Sequence, residues 1–295
     1  MFLRLHSVIL SCSILGTSAF AGAMGPVSNP QGFFIGVGGS INAVRIHQDS
    51  WGLGLSNLYT NGVLTSQGVA QGNAAPFQKT NFNFAPEVQA GYLKNVSNNN
   101  YFGIKFTYQY LGSVATNRDL YLPQTGELRS FNPPGTSSMF GYAIADSVET
   151  TINHNMNLLA LIGKQLGNKY IYLGAGPSLT SIQSQNYNSI GYAIVDGATL
   201  NVTGLVNYGS PTIWAWGGAA QIGMSYFISP SWFVDASYTY SVAGNYTSAH
   251  KQAFAHTSSA GSTTIETSGI LATKDTFKAT MVQSVNVSLN KIFDL

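Results

Sequence analysis

The C-terminal stretch 277–295 alternates almost to its end. In an extended chain Val285, Val287, Leu289 and Phe293 share one face, and Ser284, Asn286, Ser288 and Asn290 share the other. Leu295 keeps the apolar parity; only Lys291 breaks it. A final strand that is greasy on one side and small and polar on the other fits a wall with lipid outside and a narrow polar lumen inside.

The first 23 residues read as a secretory leader. Arg4 and His6 make a short basic start, 8–20 is apolar with small residues mixed in, and Ala19-Phe20-Ala21 and Ala21-Gly22-Ala23 are cleavage-type triplets. Residues 24–295 then form the β-barrel domain. The single cysteine, Cys12, lies in the leader, so the remainder offers no disulfide, thiolate metal site or cysteine nucleophile.

Charge is scarce. Only 8% of residues are charged, against about 25% in an ordinary soluble domain, and 13 Lys and Arg face 11 acids. No basic patch suggests a nucleic-acid partner. No segment beyond the leader reaches the ~18 continuous apolar residues of a membrane helix. A membrane protein built without helices must close into a barrel, because backbone groups in lipid need internal partners.

Eight alternating segments can be marked: 32–46, 80–93, 101–112, 149–164, 169–182, 211–228, 232–242 and 277–295. The third is the clearest, with Phe102, Ile104, Phe106, Tyr108 and Tyr110 opposed to Gly103, Lys105, Thr107 and Gln109. In the fourth, Ile152 is assigned to the lipid face and Asn153 to the lumen, while Leu159 and Leu161 fall on the polar side. Glycines gather on the polar faces, where a narrow barrel has little room. Connections alternate in length: 95–100, 165–168 and 229–231 are short turns, whereas 47–79, 113–148, 183–210 and 245–276 are long loops. That predicts an all-β, antiparallel, up-and-down transmembrane barrel of eight strands, with three periplasmic turns and four extracellular loops.

Aromatics flank both ends. Tyr92, Tyr101, Phe102, Tyr170, Tyr226, Phe227, Trp232 and Phe233 lie near the short turns, and Tyr108, Tyr110, Trp214, Trp216, Tyr238 and Tyr240 toward the other ends, as two interfacial belts would place them. Gly141-Tyr142-Ala143-Ile144-Ala145-Asp146 is echoed by Gly191-Tyr192-Ala193-Ile194-Val195-Asp196. With Asp196-Gly197 as a hairpin signal, the second copy predicts strands continuing above the membrane, or alternatively an extra spanning pair and ten strands.

With its short turns, four long loops and terminal strand, and in the wording of 163–176 (Gly-Lys-Gln-Leu-Gly-Asn-Lys-Tyr-Ile-Tyr-Leu-Gly-Ala-Gly), the chain resembles the small outer-membrane β-barrel family of the OmpA transmembrane domain and opacity-like surface proteins. It departs in its longer loops and in ending on Leu295 where the family often ends in Phe. The resemblance implies a surface protein of a Gram-negative outer membrane, inserted by the barrel assembly machinery into outer-membrane lipid. It implies no particular ligand.

Candidate chemistry is sparse. Glu87 and Lys105 lie on lumen faces of neighbouring strands and are expected to oppose each other, with Gln109, Gln221, Asp235 and Asn286 completing a polar network. Such a network plugs the interior or, on a sharper reading, gates an ion path. His256-Thr257-Ser258 with Glu266 has the residue types of a hydrolase and resembles the His-x-Ser of lipid A deacylases, but sits in a polar loop without a strand setting. His47, His250 and His256 could meet a metal at the outer rim only if the loops converge; solvated loop histidines are the plainer alternative. His154 has lipid-facing parity near a strand end. Neither catalytic residues nor a cofactor is indicated. The function expected is a structural or adhesin-like surface role, in which the long loops meet host or extracellular ligands; a small pore and a lipid-modifying enzyme are the alternatives.

Overall fold

The computed structural model describes residues 31–97, 99–195, 197–260 and 262–293. The expected leader, Asp196 and Leu295 lie outside them. Thirteen strands are present among the described residues: β1 (Gly32–Thr60), β2 (Val63–Asn73), β3 (Phe77–Ser97), β4 (Asn100–Phe131), β5 (Pro134–Leu166), β6 (Lys169–Val195), β7 (Ala198–Asn201), β8 (Val206–Gly209), β9 (Ile213–Ser229), β10 (Trp232–Ala243), β11 (Tyr246–Ala260), β12 (Thr263–Phe277) and β13 (Met281–Phe293).

Eight of them close a ring. β1 pairs β3, and the ladder continues through β4, β5, β6, β9, β10 and β13 back to β1, every pair antiparallel. The ten-strand alternative is not what forms. Closure leaves no free edge at membrane depth, which lipid requires. The outer face carries Ile35, Val37, Ile41, Phe84, Phe102, Ile104, Leu173, Ile222 and Val287, all at least 44% exposed. Between Phe33 and Ala43 no outward residue of β1 is charged; Arg45 is the first. A closed barrel with this exposed apolar band spans a membrane.

Inside, three layers are stacked. Near the short turns Phe34, Leu93, Leu159, Leu161, Phe227 and Phe233 form a buried apolar plug with Tyr101, Tyr170 and Tyr172. A polar layer follows. Above it Val44, Ile46, Leu111, Ile152, Ile182, Phe277 and Val282 form a second apolar layer. Glycines let rings lie against the wall: a Cβ on Gly223 would meet the Tyr172 ring at 2.4 Å, and one on Gly91 the Phe34 ring at 2.5 Å.

Four expectations are corrected. Tyr101, Tyr170, Phe227 and Phe233 are not belt residues; at 1–4% exposure they fill the plug, because their parity points inward. Ile152 also faces inward, at 0% exposure, because an irregularity between Thr151 and Asn155 shifts the phase of β5. Glu87 pairs Gln109 rather than Lys105, which sits opposite Gly91; the turn beyond Asn95 is displaced from the assumed midpoint by a register shift. The four long connections are not loops. β4 and β5 run 32 and 33 residues, about three times the ~9–11 needed to cross a bilayer, and an outer tier of β-structure rises from the ring.

In that tier β12 and β2 flank upper β1, β2 pairs upper β4, and β7 and β8 pair upper β6. β11 pairs only β12. The two echoed segments pair with each other across β5 and β6, Gly141 with Ala193 and Tyr142 with Tyr192.

Candidate functional site

The lumen network is the first candidate. Glu87, Lys105, Gln109, Gln221, Asp235 and Asn286 are each 2–3% exposed. They fall into two groups. Gln109 Nε2 donates to Glu87 Oε2 at 2.8 Å and Asn286 Oδ1 at 2.9 Å. Asn286 and Gln221 both donate to Thr239 Oγ1, at 2.9 and 2.7 Å. In the other group Lys105 Nζ donates to Asp235 Oδ2 at 2.7 Å and to the Tyr172 hydroxyl at 3.0 Å. Tyr172 and Ser225 donate in turn to Asp235, at 2.9 and 2.7 Å. β4 and β10 stand diametrically opposite in the ring, so this pair ties one wall to the other.

A buried pair of this kind is costly to desolvate and stabilises only when its remaining donors and acceptors are also bonded, as Tyr172 and Ser225 provide for Asp235. The void beside it, bordered by Phe34, Gln89, Leu161 and Phe233, is about 10 Å³, the limit for one water molecule. With apolar layers below and above, the polar layer is a packed core.

The histidines do not converge. His47 faces outward, 3.4 Å from Asp49 Oδ1. Lys278 pairs with the same carboxylate and holds it below the usual range, chiefly by its hydrogen bond. His250 stacks on Tyr208 with ring centroids 5.5 Å apart; burial pushes the Tyr208 hydroxyl up to about 12. His256 pairs Thr267 in the β11–β12 ladder. Glu266 is exposed while its neighbour Thr267 is buried, and His256 and Ser258 share parity with buried Phe254. His256 and Glu266 therefore occupy opposite faces and cannot form a triad. Among the described residues no group of three or more His, Cys, Asp or Glu could hold a metal. His154 sits on the outer wall, accepting or donating at 2.9 Å with the Tyr108 hydroxyl, and stacks on Trp214; this is interfacial packing.

The outer tier holds features that sequence patterning missed. Above the Glu87–Gln109 pair β3 and β4 separate, and the Asn83 and Asn81 amides bridge the gap by donating to the Leu111 and Val114 carbonyls. A cleft of about 490 Å³ opens there, lined by Pro76, Phe77, Asn117, Leu120, Tyr121 and Pro123. Deeper in the tier Asp275 accepts from Ser50 at 2.5 Å and Gln48 at 3.0 Å. Burial raises its carboxyl above the ordinary value against those two bonds. On the outer face of β4–β5–β6 three rows of side chains align: Tyr121–Ile144–Ile190, Pro123–Tyr142–Tyr192 and Thr125–Phe140–Ile194. Tyr142 stacks on Tyr192 with centroids 5.0 Å apart, and Tyr121 packs on Tyr142 at 5.5 Å. The echo was visible in the sequence; that its halves pair was not.

No family model matches the chain, and no curated protein matches it. Among solved structures it is similar to Ail, the attachment invasion locus protein of Yersinia pestis, at 10% identity over 80% of this chain and 97% of that one, with a TM-score of 0.29. The outer membrane protein OprG from Pseudomonas aeruginosa gives 11% identity, 90% and 98% coverage and a TM-score of 0.36. The outer membrane protease OmpT from Escherichia coli gives 9%, 92% and 99%, and 0.29. All three scores are below 0.5, so the architecture rests on the strand pairings and exposure described above. On those grounds the chain is an eight-stranded transmembrane β-barrel carrying a tall outer β-tier over a lumen filled by side chains.

Proposed function

We propose that this is an outer-membrane surface protein whose work is done by the outer tier, in a structural and adhesin-like role toward host or extracellular molecules. One observation carries the reading. The lumen is packed through three layers, with about 10 Å³ free beside its ion pair, while strands of 32 and 33 residues are spent on structure beyond the membrane. A chain selected for conduction has no use for that distribution; one selected to hold a recognition surface clear of the membrane does. The scarcity of charge and the Ser, Thr, Asn and Tyr content of the tier suit adaptable contacts. The leader expected in 1–23 and the barrel assembly machinery supply its route to the outer membrane of a Gram-negative cell.

The test is cell-surface binding. Cells displaying the full chain should adhere to host-cell or matrix-coated surfaces more than cells displaying a variant in which 117–147 is replaced by a short turn, at matched surface level. Equal adherence would overturn the adhesin-like role. Steady single-channel openings in planar bilayers, lost in Lys105→Met, would instead establish the pore.

A further inference from the structure

We infer that a crevice on the outer face of β1, between β12 and the β2–β3 connection, holds the phosphorylated sugar head of an outer-leaflet glycolipid whose acyl chains lie on the apolar wall beneath. The inference rests on the barrel and its depth in the membrane, not on the adhesin-like role.

The crevice encloses about 840 Å³, within the ~300–1,000 Å³ of ligand pockets. Its floor is the outward row His47, Asp49 and Trp51 of β1. Lys274 and Lys278 of β12 stand on one wall, and the connection 73–76 forms the other. Trp51 lies opposite Lys274 in the β1–β12 ladder. Lys278 Nζ pairs with Asp49 Oδ2, and His47 Nε2 stands 3.4 Å from Asp49 Oδ1. Lys274 is exposed and makes no ion pair among the described residues. Two ammonium groups over one carboxylate leave the crevice positive. A lysine binds phosphate as a point charge, and an indole ring offers a flat apolar face with a polar edge. A phosphorylated sugar presents the complement of both.

Three observations select a membrane lipid as the occupant. The first is depth. Outward residues of β1 run from Val37 and Ile41 through Ala43 and Arg45 to His47. The floor therefore starts two residues, ~7 Å along the strand, beyond the first charge that ends the apolar band, which is head-group height. The second is continuity. Directly below, Ile41 pairs Phe84 and Ala43 pairs Phe82; Ile41, Phe82 and Phe84 are 64%, 59% and 73% exposed. The one charged side chain on the outer wall between this strip and the crevice is Arg45, itself a cation. A lipid whose chains cover the strip carries its head up to His47 and Lys278 without passing an acid. The third is charge, which is asymmetric around the wall. Arg45, Lys274 and Lys278 outnumber Asp49 here, whereas above the band on β4 and β5 Arg118 stands with Asp146 and Glu149. Basic pockets at this depth attract anionic lipid heads, and this side of the barrel has one.

The test is native mass spectrometry of the full chain in mild detergent, titrated with a phosphorylated outer-membrane glycolipid. Reversing both crevice cations, Lys274→Glu with Lys278→Glu, should weaken binding about tenfold. Lys164→Glu with Lys169→Glu makes the same charge change beside a short turn at the other end of the barrel and should leave binding within about twofold. Asp49→Asn removes the one carboxylate facing the head and releases Lys278, so it should bind at least as tightly as the unaltered chain. The same lipid stripped of phosphate should bind about tenfold weaker, and so should the phosphorylated sugar freed of its acyl chains, which gains nothing from the apolar strip. Heat-modifiable gel migration shows that each variant is folded. Unchanged binding in the 274/278 variant, an equal loss in the 164/169 variant, weaker binding in Asp49→Asn, or equal binding of the phosphate-free lipid would each overturn the inference. Equal binding of the acyl-free sugar would overturn the membrane as its source in favour of a soluble saccharide.

Discussion

The ring and the tier above it are made from the same strands yet solve different problems. In the ring every strand has two hydrogen-bonded neighbours, the apolar side chains point outward, and the lumen is filled. In the tier β11 has one neighbour and no ladder joins it to β8; the seam is bridged by Thr267 Oγ1, which donates to the Val202 carbonyl. Apolar side chains there point both ways: Leu122, Met139 and Leu271 inward, Phe140 and Ile270 outward. Lipid forbids a free edge, whereas water tolerates one. The difference teaches that closure is imposed by the bilayer and relaxed where the bilayer ends.

If the ring is the stable half, its interior should be the costliest place to disturb. Lys105→Met leaves Asp235 buried without its cation and should lose ~3–5 kcal/mol, read as a lower unfolding midpoint in urea for the barrel in lipid vesicles. Combining it with Asp235→Leu should recover most of that loss. A double variant no better than the single one would break the claim that the pair matters as a pair. Leu159→Ala, in the plug, should cost ~2–5 kcal/mol. Ile270→Ala, on the open face of the tier, should stay within about 0.5 kcal/mol. Comparable losses at 159 and 270 would erase the contrast between the halves.

Protease added to whole cells sharpens the comparison without mutation. Cleavage should fall at the tier's tips, near 61–62, 132–133 and 262–263, and spare the turns near 99–100, 167–168 and 230–231, since the latter lie on the other side of the membrane. The smallest effect is in pH. The Asp275 carboxyl is raised by burial above its ordinary 3.8. A carboxyl raised in the folded state contributes stability that is full below its unfolded pKa and is lost as pH rises through the folded one. Hydrogen exchange of the β12 amides should therefore quicken, beyond its intrinsic pH dependence, as pH rises from below 4. Asp275→Asn should flatten that excess. Asp49, lowered by Lys278, acts with the opposite sign and loses its contribution as pH falls.

The ring was legible because lipid imposes a strict two-residue period, and 101–112 and 277–295 obey it. Of the tier only the strands continuing above the membrane at the 191–196 echo were legible, because water on the outside permits Thr116, Asn117 and Arg118 or Gln183 and Gln185 where lipid would demand Ile or Phe. Four side-chain placements were lost, and two of them to geometry that sequence does not encode. Phe227 and Phe233 were placed in the belt by their nearness to the turn, although they share the inward parity of Gln221 and Asp235. Ile152 keeps a plausible lipid phase until the irregularity in β5 is known. Lys105 was matched to Glu87 across a hairpin, whereas its partner Asp235 lies across the lumen, 130 residues away. All six lumen residues are brought inside, but which of them touch depends on the barrel's diameter and stagger.

Depth-resolved spin labelling of β4 tests the central claim most directly. Labels placed singly at 102 to 107 in vesicles should alternate in accessibility to oxygen dissolved in the bilayer. Positions 102, 104 and 106 should be high, and 103, 105 and 107 low to both oxygen and a water-soluble relaxant. Reversed alternation, or odd positions open to the aqueous relaxant, would contradict a lipid-facing wall around a lumen filled by side chains.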